Sequence, residues 1–130
     1  MLVVEDDSDI RWLYHQLLAG RGYHVVEATT LDDAFAALAH CPSEIVLDLD
    51  LPDGSGTALL ETLARDVAAP PVVLCTASVH GARVGRRYHI SVSSKFALAA
   101  IGDEVDRVIG SGGRPRLSRT SLRESRPSLV

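Results

Sequence analysis

A chain of 130 residues can bury one hydrophobic core but not a core plus a second large module. Apolar residues at 46% and charged residues at 23% are globular proportions, which exclude both a disordered and a membrane-embedded chain. The net charge of −4 is uneven, with 8 basic and 16 acidic side chains over residues 1–110 and 5 and 1 over residues 111–130; so acidic a body confines any nucleic-acid contact to the basic end.

In chain order, Leu2–Val4 is a short β-branched run closed by acidic residues, and it predicts a buried strand. Ile10, Leu13 and Leu17 share one helical face that Gly20 and Gly22 end, with Trp12 and Tyr14 flanking it as packing residues. Tyr23–Val26 predicts a second strand. Thr30 and Asp33 form a capping box ahead of Leu31, Ala34, Phe35 and Leu38 at helical spacing. Ile45–Leu47 is a third strand, and Leu59, Leu60 and Leu63 mark a helix ended before Pro70 and Pro71. Val72–Cys75 is a fourth strand. Val79–Arg87 has weak periodicity and predicts a short or frayed helix, and Ile90–Val92 alternates like a strand at a sheet edge. Ile101, Val105, Val108 and Ile109 give the last helix its apolar stripe.

Beyond Gly110 the composition turns to Gly, Pro, Ser and Arg, so the reading is a domain over 1–110 and a flexible basic tail over 111–130. Cys41 and Cys75 lack metal-type spacing and read as reduced and structural, and the five histidines read as surface or loop residues. No apolar run reaches membrane-spanning length and no leader-like segment opens the chain, so a cytoplasmic location is expected. Strand and helix alternate five times, which predicts an α/β fold with a doubly wound parallel sheet. In such sheets sites form outside the carboxyl ends of the strands.

Glu5, Asp6 and Asp7 end the first strand, Asp48 the third with Asp50 and Asp53 beyond it, Thr76 the fourth, and Lys95 follows the fifth. On one rim these carboxylates would repel unless protonated or bridged, and hard oxygen ligands of this kind suit Mg²⁺. A hydroxyl at Thr76 and a cation at Lys95, the sole lysine among 13 basic residues, complete a set suited to phosphoryl transfer onto a carboxylate. Asp53 with Gly54 and Gly56 reads as a turn.

LVVEDD at 2–7, VLDLDLPDGSG at 46–56, VVLCTAS at 72–78 and Lys95-Phe96 together resemble the receiver domains of two-component response regulators. The resemblance implies a five-stranded flavodoxin- and CheY-like (βα)5 sheet of order 2-1-3-4-5. It also implies Asp48 as phosphoryl acceptor, Asp6 as Mg²⁺ ligand, Glu5 as holder of metal-bound water and the Asp50 carbonyl as a further ligand. Thr76 and Lys95 would each bind a phosphoryl oxygen. The implied phosphate donor is a phosphohistidine on a sensor histidine kinase or phosphotransfer protein. The output partner would meet the fourth helix, fifth strand and fifth helix, where the chain could also homodimerise.

Two positions depart from the family pattern: Val92 stands where an aromatic residue is usual, and Lys95 is followed by Phe96 rather than Pro. With a short Thr76–Lys95 interval and Tyr88-His89 in place of Gly-Ala, they predict an altered output face. They motivate an alternative, a degenerate receiver that binds partners without phosphorylation. A third reading, a phosphohydrolase of the haloacid dehalogenase type, draws on Asp48-Leu-Asp50. It lacks enough chain after the motif.

Overall fold

The computed structural model describes residues 1–111 and 114–116. Five parallel strands, β1 (Leu2–Val4), β2 (Val26–Ala28), β3 (Ile45–Leu47), β4 (Val72–Thr76) and β5 (Ser91–Ser94), pair in the order β2-β1-β3-β4-β5. Five helices connect or follow them: α1 (Ser8–Gly20), α2 (Leu31–Ala37), α3 (Thr57–Ala64), α4 (Gly81–Tyr88) and α5 (Leu98–Ser111). Alternate strand residues point to opposite faces, and both faces are covered. Leu2, Val4, Ile45, Leu47, Val72 and Leu74 pack under α2, α3 and α4, while Val3, Val46, Val73 and Cys75 pack under α1 and α5. The expected fold class, strand order and edge position of β5 are all present.

Several local readings change. The second strand starts at Val26 rather than Tyr23, because its ladder partner in β1 begins at Leu2; Tyr23 and Val25 pack instead beside α1 and α5. The fifth runs through Ser91–Ser94, past the Val92 expected as its end, because backbone pairing with β4 continues through serines that carry little hydrophobic signal. The buried line of α1 is Tyr14 and Leu18, rotated from the Leu13–Leu17 face, and Trp12 stands 60% exposed rather than packed. Ile109 lies outside the buried stripe of α5. Cys75 is buried and Cys41 is exposed, so only the former is a core residue. Thr30 caps α2 through the Asp33 amide at 3.0 Å, but the Asp33 carboxylate takes the Thr29 hydroxyl instead of closing the box.

The segment expected to fray is a regular helix. Its inward line is Gly81, Val84, Gly85 and Tyr88, and glycine leaves no hydrophobic trace in a sequence. A Cβ at Gly85 would lie 2.2 Å from the Val92 Cγ2, so the missing side chain is what lets α4 lie close on β5. At the start of the expected tail Ser111 ends α5, Pro115 is buried, and the Arg116 amide donates to the Tyr88 carbonyl at 2.8 Å. The rest of the tail lies outside the described residues. Among the described residues no helix is long and apolar enough to cross a membrane.

Candidate functional site

Strand register assembles the rim. Leu47 pairs with both Val4 and Leu74, and Thr76 pairs with Ser94. One step beyond these pairs stand Glu5, Asp48 and Lys95, so residues 90 positions apart in sequence end on one edge of the sheet.

Three of the expected site residues meet directly. The Lys95 Nζ lies 2.9 Å from Asp48 Oδ2 and 3.0 Å from Glu5 Oε1. Glu5 is 0% and Asp48 2% exposed, so two carboxylates share one ammonium away from bulk water. Burial alone would lower the Lys95 ammonium; hydrogen bonds to Asp48 and then Glu5 outweigh it and hold it above its ordinary range. Glu5 moves the other way. Burial raises its carboxyl to about 7, against the pull of Lys95 and the Asp7 amide, and the neighbouring Asp48 adds to the rise.

Asp6 is exposed, yet one of its carboxylate oxygens lies within 4.8 Å of one each from Glu5 and Asp48. Glu5 Oε2 is buried without a hydrogen-bond partner among the described residues. A buried oxygen with nothing to accept from is costly, and a hard cation or its water would satisfy it. The all-oxygen donor set therefore fits a small divalent cation. The Asp50 amide faces Asp48 Oδ1 at 3.4 Å, and Asp50 opens an antiparallel ribbon, Asp50–Leu51 against Gly54–Ser55, that shapes the loop after β3.

Thr76, 6% exposed at the end of β4, accepts the Ser78 amide on Oγ1 at 3.0 Å. Its methyl faces Gly81, where a Cβ would approach to 2.8 Å. Asp7 and Asp53 do other work. Asp7 caps α1 through the Asp9 and Ile10 amides at 2.9 and 3.1 Å. Asp53, expected only to shape a turn, accepts the Leu31 and Asp32 amides at 2.7 and 3.0 Å and so joins the loop after β3 to α2. No local pattern announces that cap, because the donors lie 22 and 21 residues away.

Gly56 stands against the backbone of Asp48: a Cβ there would come within 2.6 Å of the Asp48 carbonyl oxygen and 3.2 Å of the Leu49 Cα. Both are backbone atoms and cannot swing aside. Gly56→Ala is expected to cost roughly 1–3 kcal/mol, read as a lower urea midpoint at unchanged slope, because the loop must move to admit the methyl. An unchanged midpoint would mean that the loop yields freely.

Comparison with known proteins agrees with this architecture. The family model described as response regulator receiver domain matches residues 1–92. The KDP operon transcriptional regulatory protein KdpE of Escherichia coli K12 is 39% identical over 79 residues, covering 60% of this chain and 35% of that protein. The DNA-binding transcriptional regulator NtrC of Salmonella typhimurium is 36% identical over 76 residues, covering 58% of this chain and 16% of that protein. The chain thus spans about a third or less of the length of these relatives. Among solved structures, the receiver domain of NtrX from Brucella abortus superposes with a TM-score of 0.76 at 26% identity, covering 85% of this chain and 98% of that one. A CheY-like receiver domain protein from Methanospirillum hungatei gives 0.75 at 23% identity over 85% and 92% of the two chains. A match that runs from β1 into β5, on a chain of the same fold, makes this protein a member of the response regulator receiver domain family.

Proposed function

We propose that the chain is a phosphorylation-controlled signalling switch that accepts a phosphoryl group on Asp48. The observation that carries this reading is a buried Asp48 carboxylate held 2.9 Å from the Lys95 ammonium, with Glu5 and Asp6 oxygens beside it. The donor is a phosphohistidine on a sensor histidine kinase or phosphotransfer protein.

A carboxylate oxygen of Asp48 attacks phosphorus, the P–N bond breaks, and the departing imidazole keeps the electron pair and takes a proton. Lys95 transfers its contact from Asp48 to an equatorial phosphoryl oxygen, so charge that develops there meets an ammonium already in place. The Thr76 hydroxyl, which accepts the Ser78 amide, is free to donate to a second oxygen. Glu5, Asp6, Asp48 and the Asp50 carbonyl would hold Mg²⁺, which when bound supplies further neutralisation of the transferring group. Attack on a phosphohistidine followed by hydrolysis of its own acyl phosphate makes the chain a switch, not a turnover enzyme on an external substrate. Residues 1–110 act as the receiver unit, and the basic stretch beyond begins against it, with the Arg116 amide on the Tyr88 carbonyl. The output surface is α4, β5 and α5, where Gly85 and Val92 meet, and an output partner or a second copy would bind there.

Intact mass after incubation with acetyl phosphate tests this, with and without Mg²⁺, on the wild type and Asp48→Asn. The expected result is one Mg²⁺-dependent phosphoryl adduct that the variant lacks. A folded, Mg²⁺-binding wild type that forms no adduct would overturn the proposal in favour of a phosphorylation-independent interaction module.

A further inference from the structure

We infer that Tyr14 is a positioning residue for Lys95: from inside the core its hydroxyl holds the main-chain turn that carries the lysine to Asp48 and Glu5. The inference rests on the phosphoryl-acceptor reading above and adds to it a residue outside the rim.

The Tyr14 hydroxyl donates to the Lys95 carbonyl at 2.5 Å, across 81 positions of sequence. Tyr14 is 1% exposed and packs with Val3, Cys75 and Ile101 between α1, α5 and the sheet, so its ring has little room to move. The carbonyl it holds is mechanically special. The Ala97 amide donates to the Ser94 carbonyl at 3.1 Å, closing a turn whose two central residues are Lys95 and Phe96. Turns with the same closing bond differ by rotation of their central peptide, and the carbonyl of that peptide belongs to the second residue. Here the second residue is Lys95, so the bond from Tyr14 selects one orientation of the central peptide.

Among the described residues little else steadies this turn. β5 is an edge strand of half-buried and exposed residues, and the Phe96 side chain projects to solvent at 67% exposure. The lysine stem has four rotatable bonds, so a loose turn would spread its ammonium over many positions. α1 also steadies the other side of the pair, because the amide of its cap residue Asp7 donates to Glu5 Oε1 at 3.1 Å. One helix therefore registers Glu5 and Lys95 against each other. Burial pushes the Tyr14 phenol well above its ordinary range, and the hydroxyl stays a donor at every pH of interest.

The test compares full-length wild type, Tyr14→Phe and Ile101→Val, the last a trim of the same core cluster that keeps the hydroxyl. With acetyl phosphate and saturating Mg²⁺, the maximal rate of adduct formation is expected to fall about tenfold in Tyr14→Phe and to hold in Ile101→Val. Half-saturation by Mg²⁺ should stay within about twofold in both, because the carboxylates that bind it do not use Tyr14. Lys95 is the only lysine, so isotope-labelled lysine gives a single ammonium resonance. That resonance should show slow proton exchange in the wild type and Ile101→Val, and fast exchange in Tyr14→Phe.

An adduct rate in Tyr14→Phe equal to that of the wild type would overturn the positioning role and leave the acceptor reading intact. A wild type without adduct would overturn the acceptor reading, and the ammonium resonance would still decide the role of Tyr14: unchanged exchange in Tyr14→Phe overturns it, accelerated exchange supports it. Equal losses in Ile101→Val and Tyr14→Phe would reduce Tyr14 to a core residue and overturn the inference.

Discussion

Replacing Lys95 with methionine is expected to slow formation of the Asp48 adduct by about a hundredfold or more and to destabilise the protein by roughly 3–5 kcal/mol at pH 8. Both effects come from one atom. The Nζ serves two carboxylates at 2.9 and 3.0 Å, and methionine would fill its volume while leaving Glu5 and Asp48 buried together without a cation. Breaking a buried ion pair from one side costs far more than the pair contributes, because the remaining charge is desolvated.

The sign of the pH dependence follows from the Glu5 carboxyl, already raised from its ordinary 4.5 to about 7 by burial. A carboxyl whose folded pKa is raised binds its proton more tightly in the native state, so its stabilising effect is complete below about 4.5 and fades as pH rises through 7. Removing the ammonium takes away an influence that lowers Glu5, so Lys95→Met widens this window upward. The deficit relative to wild type should therefore be larger at pH 8 than near pH 5. Urea unfolding at the two values measures it, and a deficit that stays constant with pH would contradict an electrostatic origin.

The second large effect is expected at the opposite end of the sheet. Glu44 precedes β3, is 0% exposed, and among the described residues neither carboxyl oxygen has a hydrogen-bond partner. Burial raises it to about 8, partly offset by the Met1 amino group and reinforced by Asp106. The native state keeps this proton where the unfolded chain has lost it. Stability from Glu44 is thus complete below about 4.5, declines as pH climbs to about 8 and is flat beyond.

Glu44→Gln removes the titration without removing the bulk. It should gain a few kcal/mol over wild type at pH 8.5 and nothing at pH 4.5, since its amide is as poorly partnered as the neutral acid. Melting temperature against pH gives the answer as the difference between the two curves, which cancels the contribution of Glu5. Parallel curves would show that Glu44 binds its proton equally well in the folded and unfolded chain, and would contradict the shift.

Much of the rim was legible in the chain because chemistry and pattern coincide there. Short apolar runs that end in Glu5, Asp48 and Thr76 mark strands and, in a parallel sheet, place their ends on one edge. What misled the reading was polarity or its absence inside elements. Ser91–Ser94 pairs as a strand through its backbone, α4 buries glycine, and the inward line of α1 passes through Tyr14, whose ring is apolar and whose hydroxyl is not. Asp53 reads as a turn residue because its two amide partners open α2, 22 and 21 positions away.

By itself the sequence determined the alternation of elements, the parallel class of the sheet and the gathering of acids with one lysine, since hydrophobic period and residue type act locally. Only the tertiary structure decided which carboxylates share the ammonium, that Asp53 reaches across to cap α2, that Glu44 is buried without a hydrogen-bond partner among the described residues, and that Tyr14 holds the Lys95 turn. Those outcomes depend on strand register and helix packing between residues as much as 90 positions apart, and burial strengthens or penalises a charge only once its neighbours are in place.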